Sequence, residues 1–206
     1  MFDKALTPLA HKLVRPAVII ADKYGVRPDQ ITIIGFLIGM MALPLLAMQW
    51  YGAALFVIML NRVFDGIDGE LARHQQTQSD AGGYIDICLD FIFYAAVPFG
   101  FILADSHANG LAGAALIFAF MGTGSSFLAF AIFSEKNNIP RIQFDRKSFQ
   151  YINGLAEGSE TIAFFIIVCL FPEYFTILAW IFVVICVITA ITRIYGGYRT
   201  LRVFNE

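Results

Sequence analysis

Residues 65–90 read DGIDGELARHQQTQSDAGGYIDICLD, which puts four aspartates, Asp65, Asp68, Asp86 and Asp90, in or beside two consecutive apolar segments. Asp65 and Asp68 are three positions apart, and Asp86 and Asp90 are four apart. On helices each pair therefore shares one face. A short connection makes the two helices antiparallel neighbours, so both pairs meet at a similar depth. Four carboxylates cannot all stay ionised in a low-dielectric site without cations. The surrounding sequence has no matching set of Lys and Arg. Hard divalent cations with oxygen ligands are the natural partners. Two such ions about 3.5–4 Å apart, bridged by carboxylates from two faces, suit phosphoryl chemistry.

The sequence around this stretch is that of a membrane protein. The chain has 206 residues, of which 58% are hydrophobic and 15% charged, whereas soluble domains run nearer about 25% charged. A bilayer span needs about 20 apolar residues, and six segments qualify: roughly 30–50, 52–73, 81–104, 110–134, 153–171 and 174–197. The last third of the second is polar and is expected to project from the membrane. Pro44 and Pro98 fall inside spans, where neighbouring helices can satisfy the freed carbonyls. The predicted fold is all-α and integral to the membrane: six transmembrane helices preceded by an N-terminal amphipathic interfacial helix. The domain division is 1–29 for that helix and 30–206 for the six-helix catalytic part.

In the N-terminal segment Leu6, Leu9, Leu13, Val14, Ala17 and Ile20 keep a helical spacing, with Lys4, Lys12, Arg15 and Lys23 between them. Such a helix lies flat at an interface with its cations towards anionic headgroups; packing on the bundle as a solvated helix is the alternative. Pro28 is expected to stop it. No cleavable signal peptide is expected, because the start lacks a positive region followed at once by an apolar run. Cys88, Cys169 and Cys186 sit in apolar runs without a C-x-x-C pair, which argues against disulfides or a zinc site.

The charges predict the topology. Lys4, Lys12, Arg15, Lys23 and Arg27 precede the first span, Arg73 ends the second, and Lys136, Arg141, Arg146 and Lys147 lie between the fourth and fifth. Arg193, Arg199 and Arg202 close the sixth, while the connections after spans one, three and five contain no Lys or Arg. The positive-inside rule then places both termini in the cytoplasm, as in a multi-pass protein of the cell (inner) membrane. Arg62 lies within span two, three residues before Asp65. It is either a structural ion-pair partner or an anion-binding group.

The motif itself resembles the class I CDP-alcohol phosphotransferase (CDP-alcohol phosphatidyltransferase) family, whose signature is D-x2-D-G-x2-A-R-x8-G-x3-D-x3-D. Asp65, Asp68, Gly69, Ala72, Arg73, Gly82, Asp86 and Asp90 fill it with every spacing intact. The resemblance implies a membrane transferase of phospholipid biosynthesis. It would move a phosphatidyl group from a CDP-activated lipid, CDP-diacylglycerol, to an alcohol acceptor and release CMP. It implies two divalent cations, Mg²⁺ or Mn²⁺, on Asp65, Asp68, Asp86 and Asp90, with Asp90 also similar to the general base. Gly69, Arg73 and Ser79 match positions that contact the CDP group. Pro28-Asp29-Gln30-Ile31-Thr32 resembles a nucleotide-holding Pro-Asn-x-x-Thr segment, with Asp29 in place of the common Asn. A homodimer in the bilayer is implied, and no nucleic-acid partner is expected.

Acceptor contacts are read from the remaining charges. A phosphorylated acceptor would need cations, and Arg141, Arg146, Lys147 and Arg193 are the candidates; the 136–147 cluster also reads simply as a topology signal. Glu157 and Glu160 share one face at the start of span five. They either bind acceptor hydroxyls or pair with Arg193. Gly122-Thr123-Gly124-Ser125-Ser126 has no following Lys; it is a small-residue packing face, available also for a dimer contact. The competing function is a divalent-cation or proton-coupled transporter. That would favour carboxylates spread along several spans rather than four at one level.

Overall fold

The computed structural model of the protein describes residues 14–137 and 154–205. Among these, all regular structure is helical. Residues 14–23 form α1. It is followed by α2 (Pro28–Met40), α3 (Ala42–Ala47), α4 (Tyr51–Gln75), α5 (Asp80–Ala104), α6 (Ser106–Lys136), α7 (Gly158–Leu170) and α8 (Phe175–Asn205), with a 3₁₀ turn at Pro172–Tyr174 before α8.

Local chemistry explains the boundaries. Helix α1 ends in a turn at Tyr24–Gly25, where Gly25 has φ +67°, a conformation glycine adopts without steric cost. Pro28 does not stop α1 as expected. It opens α2 at the first helical position, where its missing N–H costs nothing. Pro44 lacks a donor and its ring crowds the carbonyl four residues back, which is Met40. That is where α2 ends and the first apolar segment breaks into α2 and α3.

Among the described residues, four stretches are long and apolar enough to cross a bilayer: Pro28–Ala47, Asp80–Ala104, Ser106–Lys136 and Pro172–Val203. The other two expected spans differ for physical reasons. Helix α4 has 25 residues, but Arg62, Asp65, Asp68, Glu70 and Arg73 make its second half polar. Helix α7 has 13 residues and rises only about 20 Å.

The core joins α3–α8, with Ala42 and Leu46 of α3 buried in it and aromatic contacts linking the others. Phe101 stacks on Phe175 at 4.2 Å and Phe164 on Phe182 at 4.5 Å, while Phe165 meets the ring of Phe93 edge-on. Helices α2 and α4 approach closely at a small-x3-small pair. A Cβ on Gly35 would lie 2.6 Å from Phe64 Cβ, and one on Gly39 would lie 2.9 Å from the Asn61 amide group. Asn61, buried at this contact, donates from Nδ2 to the Gly35 carbonyl at 2.9 Å.

Helix α1 packs on this pair. Val18 is buried with Ile31 and Leu71, flanked by Val14 and Ile67. Gln75 Nε2 donates to Asp22 Oδ1 (2.9 Å) and to the Val26 carbonyl (3.2 Å). The buried stripe is thus Val14–Val18–Ala21, whereas Ile20, expected on it, is exposed beside Ile19 and Tyr24. Residues 1–13, which include the rest of the expected interfacial helix, lie outside the described residues.

Gly35→Val is expected to destabilise by about 1–3 kcal/mol, because the added atoms meet a packed side chain. Gly52→Ala, whose methyl meets nothing within 4 Å, is expected to stay within about 0.5 kcal/mol of wild type. Thermal unfolding of the two variants in detergent checks the contrast.

Candidate metal centre and substrate cleft

Helices α4 and α5 bring the aspartates together. Asp65, Asp68 and Asp86 each offer a carboxylate oxygen, and these atoms all lie within 4.8 Å of one another. Asp68 is buried, and its Oδ2 has no hydrogen-bond partner. A buried carboxylate oxygen without a partner is costly, and a hard cation at this point would satisfy it. The all-oxygen donor set fits Mg²⁺ or Mn²⁺. The cluster can therefore hold a metal ion.

Asp90 stands slightly apart. Its Oδ1 is 2.7 Å from Arg62 Nη2, whereas Asp65 Oδ2 is 3.6 Å from Arg62 Nη1. Of the two readings of Arg62, the structure shows the ion pair. The nearer partner is Asp90, across the helix interface, rather than Asp65 on its own helix.

The turn between α4 and α5 shapes the cleft beside the cluster. Gln76 takes the left-handed conformation (φ 55°), and the Thr77 and Gln76 amides donate back to the carbonyls of Ala72 (3.0 Å) and Arg73 (3.3 Å). This double bond pattern ends a helix and reverses the chain. Ser79 then caps α5, its Oγ accepting from the Gly82 amide at 3.0 Å. Substitution of such a cap costs about 1 kcal/mol.

A cleft of ≈ 230 Å³ results. Asp29, Thr32, Gly69, Arg73 and Ser79, the five expected nucleotide contacts, all line it together with Asp68 and Asp86. The Thr32 hydroxyl donates to the Pro28 carbonyl at 3.2 Å. Arg73 is half exposed and pairs with Glu70 at 2.9 Å, which holds its guanidinium at the rim. A Cβ on Gly82 would lie 3.0 Å from Asp29 Oδ1, while Gly83 faces open space.

A second cavity of ≈ 340 Å³ lies against α5, α6, α7 and α8. Phe91, Tyr94, Phe120 and Phe127 form aromatic walls; Thr123, Thr161, Glu157 and Arg193 supply polar groups. Arg193 Nη2 is 3.8 Å from Glu157 Oε1, Nη1 donates to the Thr123 carbonyl at 3.3 Å, and the guanidinium lies 5.5 Å from the centre of the Phe127 ring. The Thr189 hydroxyl accepts from the amides of Leu155 and Ala156 at 3.0 Å each, which fixes the chain just before Glu157.

Glu160 does not line this cavity. Its Oε2 accepts from the Glu157 amide (3.2 Å) and from the Ser159 hydroxyl (3.0 Å), in a capping box at the start of α7. Arg141, Arg146 and Lys147 lie outside the described residues. Within the small-residue run of α6, Gly124 packs against Phe91 and Gly122 faces Ala190, so these glycines serve contacts inside the protein. Sequence reading missed the aromatic walls and the Arg62–Asp90 pair. The available signals were Tyr94, one helical turn beyond Asp90, and the adjacent polar pair Asn61-Arg62 in an apolar segment.

A membrane-embedded helical bundle with a hard-cation site opening on a polar cleft has the make-up of a phosphate-handling membrane enzyme. The sequence model of the CDP-alcohol phosphatidyltransferase family matches residues 26–192, and the chain belongs to that family of transferases. It is 53% identical over 202 residues to the inner membrane protein YnjF of Escherichia coli K12, covering 98% of each chain. In fold it is similar to the phosphatidylinositol phosphate synthase PgsA1 of Mycobacterium tuberculosis crystallised with CDP-DAG bound (TM-score 0.66, 21% identity, 91% of this chain and 94% of that one). The same synthase in complex with manganese and citrate matches with TM-score 0.64 at 22% identity, over 89% of this chain and 88% of that one.

Mn²⁺ at about 100 times its dissociation constant is expected to stabilise the protein by about 2.7 kcal/mol. Asp68→Asn is expected to remove most of this gain. Melting curves in EDTA and in Mn²⁺ read it directly; a variant that responds like wild type would exclude the buried carboxylate as a ligand.

Proposed function

We propose that the protein transfers the phosphatidyl group of CDP-diacylglycerol to an alcohol acceptor and releases CMP. The observation that carries this reading is the shared cleft: Asp68 and Asp86 of the carboxylate cluster line the same space as Asp29, Thr32, Gly69, Arg73 and Ser79. One site can thus hold a nucleotide and its pyrophosphate beside a cation. The N-terminus of α5, the end of a helix that favours an anion, lies at the same place, and Gly83 leaves its first turn open.

In this reading the cytidine diphosphate lies in the cleft and the acyl chains stay in the bilayer. Two divalent cations, Mg²⁺ or Mn²⁺, held by Asp65, Asp68 and Asp86 with Asp90 in reach of one, would neutralise charge developing on the phosphate oxygens. Asp90 takes the proton of the acceptor hydroxyl. The acceptor oxygen bonds to the lipid-side phosphorus, the bond from that phosphorus to the CMP oxygen breaks, and CMP leaves. Binding both substrates beside Asp90 would supply the proximity the step needs.

The second cavity is assigned to the acceptor. Phe91 and Tyr94 put it one position and one turn along α5 from Asp90, and its polar end carries Glu157 and Arg193. Glu160 acts on it indirectly, through the capping box that orients Glu157. An acceptor that offers several hydroxyls, or an anionic group to Arg193, fits this mixture of donors and acceptors.

The remaining features follow from charge and family. The 30–206 part is read as six spans, with α4 and α7 crossing in the shelter of their neighbours. The segment ahead of α2, α1 included, is read as interfacial, both termini are read as cytoplasmic, and the protein as resident in the inner membrane. We read it as a homodimer on family resemblance alone.

The test is CMP release by purified protein in detergent, with CDP-diacylglycerol, Mg²⁺ or Mn²⁺ and a panel of alcohols. Acceptor-dependent CMP release supports the reading; CDP-diacylglycerol left intact with every alcohol and both ions contradicts it. Asp90→Asn is expected to lower kcat by about 10²–10⁴-fold while CDP-diacylglycerol still binds. Arg193→Gln is expected to raise KM for the acceptor and leave KM for CDP-diacylglycerol unchanged.

A further inference from the structure

Arg62 is a largely buried charge, and its guanidinium is engaged on every nitrogen. The side chain is 14% exposed. Nη2 contacts Asp90 Oδ1 at 2.7 Å, and Nη1 lies 3.6 Å from Asp65 Oδ2 and 3.4 Å from the Tyr94 hydroxyl. Nε and Nη2 both donate to Asn61 Oδ1, at 2.9 and 2.6 Å. The guanidinium sits 5.0 Å from the centre of the Phe93 ring and 5.5 Å from that of Tyr94. Asn61 is itself tied to the Gly35 carbonyl of α2. A continuous series of directed contacts thus runs from the backbone of α2 through Asn61 and Arg62 to Asp90 on α5.

We propose that Arg62 is a positioning residue for the transfer reaction: it holds Oδ1 of Asp90, leaves Oδ2 to receive the acceptor's proton, and balances the carboxylate cluster while divalent ions are absent. The inference rests on the role given to Asp90 above. Only a planar guanidinium can reach Asn61, Asp65, Asp90 and Tyr94 together; a lysine ammonium is a point charge that would keep the attraction and lose the directed fork. A fixed cation among carboxylates also lowers their mutual repulsion, so the carboxylates stay gathered before metal binds.

Two readouts separate this role from plain packing. The first is unfolding of the full-length protein in detergent, in EDTA and in Mg²⁺. Arg62→Met keeps apolar bulk against Phe93 and Tyr94 but removes the charge. It is expected to lower the midpoint more in EDTA than in Mg²⁺, so the rise produced by Mg²⁺ exceeds that of wild type. Arg62→Lys should fall between the two, and adding Asp90→Asn to Arg62→Met should recover part of the loss in EDTA. The second readout is kinetic: Arg62→Met should lower kcat by about 10²-fold with KM for CDP-diacylglycerol unchanged.

A wild-type Mg²⁺ rise that Arg62→Met leaves the same size, with both midpoints lowered equally, overturns the inference alone. If wild type shows no Mg²⁺ rise, the metal reading falls and takes this inference with it. Should Arg62→Met fail to fold, Arg62→Lys carries the same comparison: an enlarged Mg²⁺ rise supports the role, and an unchanged one overturns it.

Discussion

Carboxylates gathered between helices and shielded from water repel one another in a medium that screens poorly, and the rest of this structure is arranged around that repulsion. Four aspartates converge on the α4–α5 interface, where Arg62 supplies a single positive charge to the network. One buried oxygen, Oδ2 of Asp68, has no partner at all. Such an arrangement is unfavourable as a structural element, because a carboxylate out of water needs either a counter-charge or a proton. It becomes favourable once hard cations bind. The cost is held in place by the tight packing around it: α2 meets α4 at Gly35 and Gly39, and Asn61 bonds across that contact. Aromatic stacking joins the far ends of α5 and α8.

The same packing creates two spaces, a polar cleft and an aromatic-walled cavity. The reversal at Gln76 and the Ser79 cap fold the end of α4 back onto the start of α5 and open the polar cleft. The second cavity exists because Thr189 pins the chain before α7 and Arg193 ties α8 to α6 and Glu157. Arg62 and Asp90 line a small inner space shared with Asp68 and Asp86 of the cleft, and Tyr94 touches Arg62 while lining the second cavity. In the proposed reaction Asp90 therefore stands beside the carboxylates of the cleft and one turn of α5 from Tyr94 of the second cavity.

Much of this was legible in the sequence, for identifiable reasons. Helical spacing alone paired Asp65 with Asp68 and Asp86 with Asp90, and the short turn between them forced the pairs together. The motif supplied the cleft residues Gly69, Arg73 and Ser79, and resemblance before the first span supplied Asp29 and Thr32. What failed depended on geometry that periodicity does not encode. Pro28 reads equally as a stop or a start until the turn at Gly25 is seen. The break between α2 and α3 follows from the clash of Pro44 with a specific carbonyl. Arg62 looked like a neighbour of Asp65 because both lie on one helix; its closer partner, Asp90, is 28 residues away. Glu157 and Glu160 share a helical face, yet Glu160 turns back to cap the helix while Glu157 meets Arg193.

The most direct test of the central claim is to locate the cation. Crystals of the protein grown with Mn²⁺ and CDP-diacylglycerol would be measured for anomalous scattering. The account predicts manganese between Asp65, Asp68 and Asp86, in contact with the pyrophosphate and with Oδ2 of Asp68. Pyrophosphate bound in the cleft with no manganese at the three carboxylates, or manganese bound only elsewhere, would contradict it.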